Sequence, residues 1–242
     1  MSPLLETRRL SKSFRGLRAV SDVSLSVEAH AITALIGPNG AGKTTLFNLL
    51  CGAMAPDTGK IFLSGRSIDG LRPDQICRLG VARTFQIVKP FSALSVIDNV
   101  VVGALKTERR LAPARRHAES ILENLGLGSK RDLPASTLTL PERKRLELAR
   151  AIATGPKLLL LDETLAGLRA GECAALIDFL RGIQRRQELT ILLIEHVMQA
   201  VMALAQSVIV LHQGEVIARG TPEEVVHEAA VLECYLGAAA NP

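Results

Sequence analysis

The run Gly37-Pro38-Asn39-Gly40-Ala41-Gly42-Lys43-Thr44-Thr45 constrains this chain more than any other stretch, because it satisfies G-x-x-x-x-G-K-[ST] at every fixed position. A glycine-rich backbone can curl around a phosphate with successive N–H groups turned inward, then enter a helix whose N-terminal end is positive. In that arrangement Gly37, Gly40 and Gly42 allow close approach, Lys43 reaches the β- and γ-phosphates, and the Thr44 hydroxyl gives one oxygen to a magnesium ion. Upstream, residues 31–36 form a short apolar run that reads as a buried parallel strand. Downstream, Leu46, Leu49, Leu50 and Ala53 recur at helical spacing. Strand, loop and helix follow in the order a nucleoside triphosphate site requires, within an α/β phosphate-loop core.

With 242 residues and 48% apolar content, the chain can bury a full core, and one domain over residues 1–242 is expected. Residues 1–9 lack an apolar signal core. The longest apolar stretch, 200–211, is interrupted by Gln206 and Ser207 and is too short for a membrane span, so a cytosolic location is expected, with any membrane work done through partners. Cys51, Cys77, Cys173 and Cys234 show no C-x-x-C spacing, which suits reduced packing residues rather than zinc. The net charge of +5 gathers in pairs such as Arg109-Arg110, Arg115-Arg116 and Arg185-Arg186. Single-strand nucleic-acid binders add aromatic stacking platforms, and this chain has no Trp, one Tyr and six Phe. A solvated or lipid-facing basic surface, with no nucleic-acid partner, is the expectation.

Alternation in Val23-Ser24-Leu25-Ser26-Val27 predicts antiparallel strand. Phe14 precedes the turn Arg15-Gly16 and either stacks on an adenine or packs at a strand end. A turn at 56–59 and a strand at 60–65 complete a small β-layer from about 1–30 and 59–70. Residues 73–79 read as helix, and 81–86 as a strand ending at Gln86 before Pro90. From 95 to 125 the pattern is helical, with Ala114, Ala118, Ile121, Leu122 and Leu125 on one stripe and Gly126 as a stop, which places a helical subdomain over about 90–153. Thr139 and Glu142 form a capping box for a helix over 140–154, whose positive entrance is either a plain cap or a phosphate contact.

The apolar strand over 157–163 ends in Asp162 and Glu163, at the strand end where α/β sheets bind ligands. Asp162 there holds Mg²⁺ through water, and Glu163 polarises an attacking water. An amphipathic helix through Cys173, Leu176, Ile177, Leu180 and Ile183 leads to a strand at 190–194, followed by Glu195 and His196 on the ligand side. Strands at 207–211 and 215–218 turn at His212-Gln213-Gly214, and a second capping box at Thr221 opens a C-terminal helical tail over 221–242.

Taken in order, GPNGAGKTT, VARTFQ, TLTLPERKRLELARAIAT, LLLLDE and LLIEH resemble the ATP-binding subunits of ABC transporters over nearly the whole chain. RTFQ, RKRLELARA, DETLAGL, LIEHVM, GTPEEVV and YLG look like the branch that drives branched-chain amino acid uptake. The resemblance implies the ABC ATPase fold, with an antiparallel β-subdomain and an inserted helical subdomain, and ATP and Mg²⁺ as cofactors. It implies membrane permease subunits, a second ATP-binding subunit and, indirectly, a solute-binding protein as partners, with a peripheral place on the cytoplasmic face of the inner membrane. It assigns Phe14 to adenine stacking, Gln86 to the loop that senses Mg²⁺ and the attacking water and leans on the membrane subunits, and Asp162 to the metal. Glu163 becomes the general base, His196 the γ-phosphate contact, and residues 139–142 the signature that reaches across a dimer to the partner's γ-phosphate.

The signature departs from the family's Ser-Gly-Gly-Gln. Leu140 and Pro141 replace the two glycines, Pro141 lacks an N–H, and Glu142 brings a negative charge. Losing one such donor to a transition state costs about 2.7–4 kcal/mol. Arg169 also stands where the family more often has Asp or Asn. These changes fall on the half-site offered to a partner, so a heterodimer with a better signature on the other subunit is favoured over a homodimer. Two other readings use the same core: a soluble ATP-driven clamp, and a nucleotide-gated regulatory subunit with little hydrolysis of its own.

Overall fold

The computed structural model describes residues 3–85 and 89–236. Strands β1 (Leu5–Phe14) and β2 (Leu17–Val27) form an antiparallel hairpin that turns at Arg15-Gly16. β3 (Ile32–Ile36) leads through the glycine-rich loop into α1 (Lys43–Leu50). β4 (Thr58–Leu63) returns beside β1 and pairs with the short β5 (Arg66–Ser67). α2 (Pro73–Arg78) and β6 (Val81–Arg83) follow. A run of helices comes next: α3 (Val96–Ala104), α4 (Leu111–Asn124) and α5 (Leu140–Ala153). β7 (Leu158–Asp162), α6 (Ala170–Gln187), β8 (Thr190–Ile194), α7 (Met198–Leu204), β9 (Ser207–His212) and β10 (Glu215–Gly220) complete the sheet, and α8 (Pro222–Val225) and α9 (Ala229–Leu236) close the described chain.

Two sheets result. The first runs β2-β1-β4-β5 and is antiparallel. The second runs β10-β9-β3-β8-β7-β6 and is parallel except at the β9–β10 edge. β3, β7 and β8 are buried at every residue, as continuous apolar runs must be when both faces of a sheet are covered. Their side chains alternate between two cores. Ala34, Leu159, Leu161, Ile191 and Leu193 pack towards the helices, whereas Leu35, Leu158, Leu160, Leu192 and Ile194 face α1 and the antiparallel sheet. The register pairs Leu35 with Ile194 and Asp162 with Ile194, so β3, β7 and β8 finish at one edge.

Several boundaries differ from the sequence reading. α1 stops at Leu50, short of Ala53, where Gly52 turns the chain at φ +70° under the Leu71 carbonyl. β6 ends at Arg83, although the Thr84 N–H still donates to the Leu160 carbonyl at 2.9 Å. The helical pattern from 95 to 125 is broken between α3 and α4. There the Thr107 hydroxyl donates back to the Ala104 carbonyl at 3.0 Å and competes with the helix. The capping box at Thr221 opens a helix of only four residues, and α9 starts afresh at Ala229. The helix after Thr139 spans the predicted stretch to within a residue.

Candidate nucleotide site

The loop after β3 is held in shape from beneath. Gly37 (φ +148°) and Gly42 (φ +101°) press against backbone. An added Cβ would lie 2.0 Å from the Leu211 carbonyl oxygen at Gly37 and 2.1 Å from that of Ala19 at Gly42. Gly40 (φ +79°) faces open space. Close packing under the loop thus demands Gly37 and Gly42, while Gly40 is the position that leaves the ligand side clear. α1 starts at Lys43 with no acidic residue in its first turn, so its positive end stays unmasked. The Lys43 ammonium curls over the loop and donates to the carbonyls of Gly37 (2.7 Å) and Pro38 (2.9 Å). Burial pulls its pKa down, against the nearby charges of Glu163 and Asp162.

Asp162 ends β7 and pairs with Arg83 at 2.8 Å. Its backbone N–H donates to the Thr84 hydroxyl at 3.1 Å. The second carboxylate oxygen, Oδ1, is buried and has no partner among the described residues. Thr44, with its hydroxyl, and Asp162, with its unpartnered carboxylate oxygen, line the same cavity. That donor set fits a hard, oxygen-loving ion such as Mg²⁺, which takes one or two carboxylates and completes its shell with phosphate and water.

Glu163 sits in the left-handed region at φ +50°, and its carboxylate Oε1 lies 2.8 Å from His196 Nε2. Three elements hold this conformation. The Glu163 N–H donates to the Ile194 carbonyl of β8 at 3.0 Å, and Lys144 of α5 donates to the carbonyls of Glu163 (2.9 Å) and Ala166 (2.6 Å). Glu195 accepts from the Leu165 N–H at 2.8 Å.

Glu195 is 2% exposed, and burial pushes its pKa to about 7 against the pull of Lys144; Glu163 adds to the rise, and Cys173 lies close by. In the unfolded chain its proton leaves near 4.5, so between 4.5 and about 7 unfolding releases a proton. Stability is therefore full at low pH and lost as pH rises through 7. Replacing Glu195 by Gln keeps the acceptor and removes the titration. The variant is expected to gain on the wild type by on the order of 1–3 kcal/mol between pH 5 and pH 8 in denaturant unfolding. A difference that stays constant over that range would refute this.

Of the residues singled out in the sequence, the fold brings Lys43, Asp162, Glu163 and His196 to one edge of the sheet. Phe14 lies at the end of β1, 42% exposed, with Lys12 over its ring at 6.0 Å. Thr139 and Glu142 cap α5, where the Glu142 carboxylate accepts from the Thr139 N–H at 3.0 Å and pairs with Lys130 at 2.6 Å. The Lys130 hydrogen bond holds Glu142 below the usual carboxylate range. The charge that seemed hostile to a phosphate is thus offset by a neighbour. Leu140 is 63% exposed. Gln86 lies outside the described residues. Sequence reasoning gave no role to Arg83 or Lys144. Their one signal was charge inside buried or helical runs, which carries no partner until the fold supplies one.

The family model for ABC transporters matches residues 20–166, well over half of the chain. The chain belongs to the ABC transporter ATP-binding family. A second family model, for the branched-chain amino acid ATP-binding cassette transporter, matches residues 215–241 of the cassette. The cassette is 41% identical to the high-affinity branched-chain amino acid transport ATP-binding protein LivG of Salmonella typhimurium, over 98% of this chain and 99% of the relative. It is 38% identical to the corresponding protein BraF of Pseudomonas aeruginosa, over 98% and 99%. Among solved structures, an ATP-binding cassette of an ABC transporter in its ADP conformation superposes with a TM-score of 0.87 at 28% identity, over 98% of this chain and 100% of the other. The ABC ATPase fold expected from the motifs is the one found, and the cassette is an ATP-binding ATPase.

Proposed function

We propose that the cassette powers uptake of branched-chain or related amino acids, as one of two ATP-binding subunits docked beneath membrane permeases that a solute-binding protein serves. The observation that carries the reading is the convergence of Glu163 and His196, 2.8 Å apart, beside the phosphate loop at the edge where β3, β7 and β8 finish. Bound ATP supplies the phosphoanhydride, and Mg²⁺ neutralises its charge. Lys43 and the N-terminus of α1 hold the phosphates, Thr44 and Asp162 take the metal, and Phe14 stacks on the adenine. Glu163 receives a proton from water, and His196 steadies both that carboxylate and the γ-phosphate. Gln86 carries the state of the site to the membrane partners.

A groove supports docking. A cavity of about 1130 Å³ runs from Thr44 and Asp162 past the half-exposed Phe85, Val102 and Leu105 to the cationic Lys106 and Arg150. Its apolar walls suit a cytoplasmic segment of a permease. Among the described residues no helix is long and apolar enough to cross a membrane, so in this reading attachment runs through that groove. The exposed Leu140 and the N–H-less Pro141 at the start of α5 support a heterodimer, in which a partner's signature serves this chain's nucleotide.

The test is ATP turnover by the cassette alone, then with the second ATP-binding subunit and the permeases in proteoliposomes given binding protein and leucine, isoleucine or valine. Turnover is expected only in the full assembly, with accumulation of the amino acid inside. Full turnover by the cassette alone would sink the heteromeric reading, and turnover without accumulation would sink the solute assignment.

A further inference from the structure

Arg83 takes no part in that reaction, yet it is the counter-charge of the acid proposed for the metal. Its side chain is 5% exposed and that of Asp162 1%. The guanidinium donates to Asp162 Oδ2 at 2.8 Å and to Asn48 Oδ1 at 2.6 Å, and meets Cys51 Sγ at 3.4 Å. It also lies over the rings of Phe85, 5.0 Å away, and Phe47, 5.7 Å away. A cation this deep needs a neighbouring carboxylate, and a carboxylate this deep needs a cation.

We propose that Arg83 is a resident cation that competes with Mg²⁺ for Asp162, and that the ring of Phe85 sets how firmly it does so. The inference rests on the reading that Asp162 takes the metal. Without metal, Arg83 keeps Asp162 from standing as an uncompensated buried charge. With metal, the guanidinium holds Oδ2 and repels the incoming ion, which is left with Oδ1, buried and without a partner among the described residues. Phe85 links this balance to the outside. Its ring, 53% exposed, lines the same cavity as Thr44, Arg83 and Asp162, so whatever packs on that ring bears on the guanidinium.

The experiment follows the unfolding temperature of the intact cassette with a non-hydrolysable ATP analogue as Mg²⁺ is raised. Arg83→Gln is expected to unfold earlier without metal and to reach half of its Mg²⁺-dependent gain at roughly one-tenth of the wild-type concentration, because the competing charge is gone. Phe85→Ala is expected to shift the half-point the same way by a smaller factor, and to have no effect in the Arg83→Gln background. An unchanged or higher half-point in Arg83→Gln overturns the proposal. If that variant does not fold, an unchanged half-point in Phe85→Ala does so instead. Asp162→Asn separates the layers: a Mg²⁺ response that survives in it refutes Asp162 as the metal acid, whereas one lost there but indifferent to Arg83 refutes only the competition.

Discussion

Glu163→Gln is expected to lower ATP turnover of the assembled transporter by about 10²–10⁴, the range that a positioned general base contributes, while leaving nucleotide affinity within about threefold. The geometry separates the two effects. Phosphate binding belongs to the loop, to Lys43, which donates to the carbonyls of Gly37 and Pro38, and to the positive end of α1. Gln is nearly isosteric and can still bond to His196 Nε2, so the left-handed turn pinned by Lys144, Ile194 and Glu195 survives. What is lost is the capacity to take a proton. Phosphate release measured beside equilibrium nucleotide binding checks this, and turnover within tenfold of wild type would remove Glu163 from the role of base.

Gly42→Ala is expected to cost about 3 kcal/mol or more of stability and to abolish nucleotide binding. Its Cβ would sit 2.1 Å from the Ala19 carbonyl oxygen, and its φ of +101° is one that L side chains rarely adopt. Either the loop or β2 must move, and overpacking of this kind adds about 1–3 kcal/mol to the backbone strain of a β-carbon at positive φ. Gly40→Ala is the internal control. It also has positive φ but meets nothing within 4 Å, so only the conformational cost of about 1 kcal/mol applies. Urea unfolding of the two variants checks the contrast, and equal losses would show that the close approach at Gly42 is not what matters.

Much of the site was legible because its signals are local. The phosphate loop, Asp162-Glu163 and Glu195-His196 each follow an apolar strand, and such strands declare themselves when both faces of a sheet are buried. The helix after Thr139 was legible for the same reason, since a capping box lies within four residues. The gap between α3 and α4 was not, because residues 105–110 carry no Gly or Pro to mark a stop. Long-range partners were also out of reach. Arg83 meets Asp162 from 79 residues away, and Glu195 meets Leu165 from 30. The partner of Glu142 was out of reach in the same way, because Lys130 meets it only once the turn before α5 has formed.

The alternating burial of β7 carries a mechanical consequence. A slip of one residue would exchange every side chain between the helical core and the core above α1, sending Leu159 and Leu161 where Leu158 and Leu160 belong. The strand is keyed on both sides, and so are β3 and β8 beside it. The edge that carries Asp162 and Glu163 is thus a fixed datum, and whatever moves when the cassette works must move around it.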